Sequence, residues 1–108
     1  MNKFKLFTLV FSLLSVFLLP SCVIEVNDDD VDAYFTTEYS EYKVGETIYF
    51  DNHSHNADEC EWDFDDGYRS DVYHPEHYYT RPGTYRVELC VRNGFHHSDY
   101  SKILYIYE

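Results

Sequence analysis

The sequence predicts an all-β domain built as an antiparallel sandwich, and three observations carry that prediction. Tyr85, Val87, Leu89 and Val91 alternate with Arg86, Glu88, Cys90 and Arg92, the period-two pattern of a strand with one buried face. Turn-forming pairs punctuate the chain at Asp66-Gly67, Pro82-Gly83 and Asn93-Gly94. Asp-Gly and Asn-Gly supply the positive φ of tight hairpins, and Pro-Gly turns a chain sharply. No segment beyond Cys22 shows the spacing of an amphipathic helix, which needs apolar residues three and four apart.

The elements follow in order. Residues 1–21 precede the folded part. Lys3 and Lys5 make a basic start, and Leu6 to Leu19 is an uncharged apolar run of 14 residues. A basic region, an apolar core and a small residue before a cut describe a secretory signal peptide, and the run is shorter than the ~20 residues of a membrane span. The Leu-x-Ser-Cys ending at Cys22 resembles the bacterial lipobox. That resemblance implies a thioether-linked lipid on Cys22, with several acyl chains making membrane attachment stable. Pro20 departs mildly from that box. Residues 22–32 read as an acidic tether, with four aspartates and one glutamate between Val23 and Asp32, too polar to fold alone. Asn27-Asp28-Asp29-Asp30 resembles the acidic export signal of Bacteroidetes-type surface lipoproteins; a plain solvated spacer explains the composition equally well.

The domain is expected over residues 33–108. Alternation predicts strands at 33–37, 46–51, 59–64, 76–80, 84–92 and 98–107. Cys60, Trp62 and Phe64 point inward on the third. Asp65-Asp66-Gly67 turns the chain after it. Trp62 on a central strand and Tyr85 opening a long strand after Pro82-Gly83 match the core tryptophan and tyrosine corner of immunoglobulin-like sandwiches. Cys60 shares the Trp62 face while Cys90 faces the other way, so strand parity opposes a disulfide; a bulge could reset it, and the oxidising compartment of an exported protein permits one.

Charge excludes some partners. The full chain carries −12 and all 20 acidic residues follow Cys22, so loss of Lys3 and Lys5 leaves six basic residues and a net −14. Such a surface repels nucleic acid and anionic headgroups. No nucleophile turn with a Ser/His/Asp set, phosphate-cradling glycine loop or Cys-x-x-Cys pair is present, and a thin sandwich commits its inner faces to one core. The chain therefore reads as non-enzymatic.

Trp62 to Asn93 also resembles the PKD (polycystic kidney disease) domain, whose pattern runs roughly WDFGDG, P-x-H-x-Y and PGTY-x-V-x-L-x-V-x-N. Trp62, Asp63, Phe64, Asp66 and Gly67 match the first part, and Pro75, His77, Tyr79, Gly83, Tyr85, Val87, Leu89, Val91 and Asn93 follow at the right spacing. The resemblance implies a PKD-like sandwich in which Trp62, Phe64, Gly67, His77, Gly83 and Tyr85 are architectural. It also implies an accessory module for protein–protein or protein–carbohydrate contacts. The combined expectation is a lipid-anchored cell-envelope protein, at the outer membrane and exposed on the surface.

Three groups stand as candidate sites. His53 and His55, with His96 and His97, lie in loops expected at one end of the sandwich, with Asp58 nearby; converging imidazoles would suit zinc or copper. Asp63, Asp65, Asp66 and Asp71 surround the first hairpin turn, where carboxylate oxygens would suit calcium, which some PKD domains bind. Asp65 stands where the family usually has glycine. Both metal readings stand against a bland one, histidines and carboxylates that simply face water. Finally, Tyr105 and Tyr107 lie on a closing strand that is apolar on both faces, so one face should show an aromatic strip able to stack on sugars or anchor a protein.

Overall fold

The computed structural model describes residues 30–108. The expected signal peptide, Cys22 and the acidic tether as far as Asp29 therefore lie outside the described residues. The described chain is all-β and forms nine strands: β1 Phe35–Thr36, β2 Glu41–Lys43, β3 Ile48–Tyr49, β4 Asp51–Asn52, β5 Glu59–Asp63, β6 Arg69–Ser70, β7 Glu76–His77, β8 Gly83–Asn93 and β9 His96–Tyr107. Among the described residues no helix is long and apolar enough to cross a membrane.

One layer is a five-stranded sheet in the order β2-β9-β8-β5-β6. Its spine is the β8–β9 hairpin, paired from Gly83↔Ile106 to Asn93↔His96. The other layer consists of the two-stranded ladders β1–β4 and β3–β7. Only Phe50 separates β3 from β4, and its N–H donates to the Pro75 carbonyl at 3.0 Å, so the two ladders continue one another.

The core fills the space between the layers. Trp62, Val87, Leu89, Val91, Leu104 and Ile106 come from the large sheet, and Phe35, Ile48, Phe50 and Tyr79 from the other layer, all buried. Phe35 meets Trp62 edge-on at 4.9 Å, and Phe50 lies 5.4 Å from the same indole. Burying aromatic rings of this size removes a large apolar area from water in so small a domain. The Trp62 Nε1–H donates to the Val72 carbonyl at 2.9 Å, so its one polar atom is satisfied.

Two strands depart from expectation. Glu41–Lys43 forms β2 and pairs parallel with β9, Glu41↔Tyr105 through Lys43↔Tyr107, so the sandwich is not wholly antiparallel. The chain leaves β1 in one layer and crosses to the edge of the other, where Tyr42 enters the core. Three residues with one apolar side chain carry no alternation, and the signal is too short to read. Arg69–Ser70 likewise forms β6 against Trp62 and Asp63. Cys60 sits opposite Val91 and Cys90 opposite Glu61, so the thiols face opposite sides and both are free. Burial raises the pKa of each.

Candidate functional site

The first hairpin turn is tied internally by its own carboxylates. Asp63 accepts from the Asp65 N–H at 3.0 Å, and Asp66 from the Tyr68 N–H at 3.1 Å. Asp65 Oδ2 accepts from the Arg86 N–H at 3.0 Å, joining the turn to β8. Gly67 has φ +93° and Asp65 φ +69°. The first suits glycine; the second is a left-handed conformation that aspartate tolerates better than most side chains. The second Asp63 oxygen takes Arg69 at 3.2 Å, and that guanidinium also reaches Glu61 at 2.8 Å. Asp71 lies apart from the turn and lines a cavity of about 590 Å³ with Asp58, Glu59, Cys60, Glu61, Tyr73 and Arg92.

His77 is packed and bonded. Its Nε2 lies 2.7 Å from Asp66 Oδ2. Its ring stacks on Phe64 at 4.1 Å with 9° between planes, and Tyr79 meets it edge-on at 4.9 Å. The Tyr79 hydroxyl donates to the Phe64 carbonyl at 2.8 Å in the buried core, and burial raises its pKa far above the ordinary tyrosine range. Tyr85 stacks on Tyr79 at 4.0 Å, and its hydroxyl donates to the Arg81 carbonyl at 2.8 Å. This is a tyrosine corner. A Cβ built on Gly83 would lie 3.7 Å from the Tyr85 ring.

The histidines at the other end are spread along separate ladders. His55 exchanges backbone hydrogen bonds with Asp32, at 3.2 and 2.8 Å. His53 Nε2 lies 3.1 Å from Thr36 Oγ1 and 3.3 Å from Asp51. His96 and His97 are not in a loop: they open β9, opposite Asn93 and Arg92, because the Asn93-Gly94 turn is shorter than the loop expected there. Among the described residues no three His, Cys, Asp or Glu side chains gather as a metal site would require.

On the outer face of the large sheet Ile103, Tyr105 and Tyr107 alternate along β9 and are 39%, 51% and 46% exposed. Leu104 and Ile106 between them are buried. Tyr105 is flanked by Thr84 and Glu41, and Tyr107 by Lys43. The strip is a two-ring apolar surface bordered by charges.

Sequence reasoning missed a second exposed aromatic pair. Tyr68 and Tyr78, 68% and 55% exposed, stand around Asp66 and His77 at the first hairpin. Two adjoining cavities open there, of about 440 Å³ and 280 Å³, and both are lined by Asp66, Tyr68 and Thr80. The only local signal is the alternation His77-Tyr78-Tyr79, which turns Tyr78 outward as Tyr79 turns in; Tyr68 arrives beside it only through the hairpin.

Two thin layers, a core tryptophan and a tyrosine corner define an immunoglobulin-like sandwich. A model of the PKD domain matches residues 32–107, and the chain belongs to that family, whose members are generally non-catalytic. No curated protein matches it. Among solved structures it is similar to the PKD1 domain of the Vibrio cholerae metalloprotease PrtV, at 23% identity and TM-score 0.64, with 73% of this chain and 99% of that one covered. It is similar to the PKD domain of the human receptor SorCS2 at 18% identity and TM-score 0.57, covering 71% and 72%. A structure described as showing promiscuous specificity of carbohydrate-binding modules of the β-sandwich superfamily aligns at 24% identity and TM-score 0.70 over 77% of this chain. This chain spans 36% of the length of that structure. These likenesses show the fold.

Proposed function

We propose that this protein is a non-catalytic binding module, held in the cell envelope by lipid on Cys22, that contacts a protein or carbohydrate partner at the cell surface. The observation that carries the reading is the exposed Ile103-Tyr105-Tyr107 strip on a sheet whose other face is fully committed to the core. Aromatic rings left in water on a rigid strand lose little entropy on binding and offer large contact area. The likeness to a β-sandwich carbohydrate-binding module supports the carbohydrate version at the level of fold. The basic start, apolar run and Cys22 support the anchor, and the acidic tether would hold the domain away from the membrane.

Two measurements test the proposal in the full-length protein. Labelling of cells with radioactive palmitate should mark the wild type and not Cys22→Ser; an unlabelled wild type refutes the anchor. Affinity capture from detergent-solubilised native envelope should recover a partner whose yield falls in Tyr105→Ala/Tyr107→Ala. Equal recovery with the double variant removes the strip from the interface.

A further inference from the structure

We propose that the cleft formed by Tyr68, Tyr78, Asp66, Thr80 and Arg81 is a binding site for neutral pyranose glycans. The proposal deepens the binding-module reading and rests on it, but places the ligand beside the hairpin, away from the β9 strip.

The cleft is built from the core outward. Phe64 stacks on His77 at 4.1 Å, and His77 in turn lies 5.9 Å from the Tyr68 ring and 6.3 Å from the Tyr78 ring. The imidazole, held by Asp66 at 2.7 Å, is a fixed floor between two exposed phenol rings. The adjoining cavities, about 280 and 440 Å³, fall near and within the usual range for small-ligand sites, ~300–1,000 Å³. They share Asp66, Tyr68 and Thr80, so a ligand filling both would contact the Tyr68 side chain.

The polar groups select the ligand class. Asp66 accepts one hydrogen bond on each carboxylate oxygen, which leaves a lone pair on each for a ligand hydroxyl. Thr80 offers a hydroxyl that both donates and accepts, and Arg81 a guanidinium that donates. Donors and acceptors beside an aromatic face match a pyranose ring, which has an apolar C–H face and an equatorial rim of hydroxyls. The net charge of −12 disfavours acidic polysaccharides. The floor is ordered before any ligand arrives, so binding need not order His77 or Asp66.

The test is affinity gel electrophoresis of the detergent-purified full-length protein in gels containing soluble β-glucan, xylan or mannan. At least one should retard the wild type. Tyr68→Ala and Tyr78→Ala should each weaken that retardation about tenfold or more, while Tyr68→Phe, which keeps the ring, should retain it. Because both rings are exposed, the melting temperatures of the alanine variants should stay close to wild type, separating lost binding from lost fold. Retardation that survives both alanine variants, or that falls only in Tyr105→Ala/Tyr107→Ala, overturns the cleft while leaving the module reading intact. The same holds if no polysaccharide retards the wild type while an envelope partner is still captured. Absence of both glycan retardation and partner capture sinks cleft and module reading together.

Discussion

Replacing Tyr79 by phenylalanine removes one oxygen atom from the core and leaves the ring in place. Tyr79 is 1% exposed, and its hydroxyl donates to the Phe64 carbonyl at 2.8 Å, where β5 ends and the hairpin turn begins. The ring stacks on Tyr85 and meets His77 edge-on, so phenylalanine keeps the packing and opens no side-chain-sized cavity. The loss is one buried hydrogen bond that leaves its acceptor carbonyl unpaired, a cost of about 1–3 kcal/mol. We expect a net loss of about 2 kcal/mol. In a domain of this size that corresponds to a fall of roughly 8–16 °C in Tm. Trp62 is the one tryptophan of the chain and is fully buried, so its fluorescence follows urea unfolding directly. The pH dependence gives a second reading. Burial, then the nearby Asp66 carboxylate, raises the Tyr79 pKa in the folded state. An unfolded tyrosine ionises near pH 10, so above that pH the native state holds a proton that the unfolded chain has lost. Stability from this group is fully present below about pH 10 and declines as pH rises toward the folded value. Tyr79→Phe should therefore show a shallower alkaline decline than wild type. A loss below about 0.5 kcal/mol, together with parallel alkaline limbs, would refute the assignment of Tyr79 as a buried, bonded tie.

Asp65 tests the turn. Asp65→Gly removes the cost of a side chain at φ +69° but also the acceptor for the Arg86 N–H. These are effects of about 1 kcal/mol each with opposite sign, so urea midpoints should stay near wild type. Asp65→Ala keeps the strain and loses the bond, and should be less stable by about 1–2 kcal/mol; an alanine variant as stable as the glycine one would contradict this. The hairpin carboxylates are engaged by N–H groups, Arg69 and His77, so millimolar calcium or zinc should leave Tm unchanged. A concentration-dependent rise in Tm would reveal a site that the folded arrangement does not display.

The elements legible in the sequence are those whose signal is local. The eleven-residue β8 and twelve-residue β9 alternate long enough to fix which face is buried, and the inward set Val87, Leu89 and Val91 is fully buried. Tyr85 was identifiable as a corner because its partner, the Arg81 carbonyl, lies only four residues upstream. Opposed parity of Cys60 and Cys90 follows from counting along two strands that pair. Short strands were not readable, since two or three residues carry no period. Hence β2, parallel to β9, and β6 emerged only in the fold.

Side-chain neighbourhood is a different kind of information. Four histidines in two expected loops looked capable of meeting, but the tight Asn93-Gly94 turn draws His96 and His97 into β9 while His55 pairs with Asp32. Tyr68 and Tyr78 are ten residues apart with no motif joining them, yet the hairpin and β7 set both against His77. Sequence by itself determined the all-β class, the inward face of the long strands, the acidic charge and the aromatic edge of β9, because each depends on residue type and on strand parity alone. Tertiary structure decided which polar groups are already bonded to one another and which aromatic rings enclose a cleft. Those depend on distances between segments, which no single stretch of chain encodes.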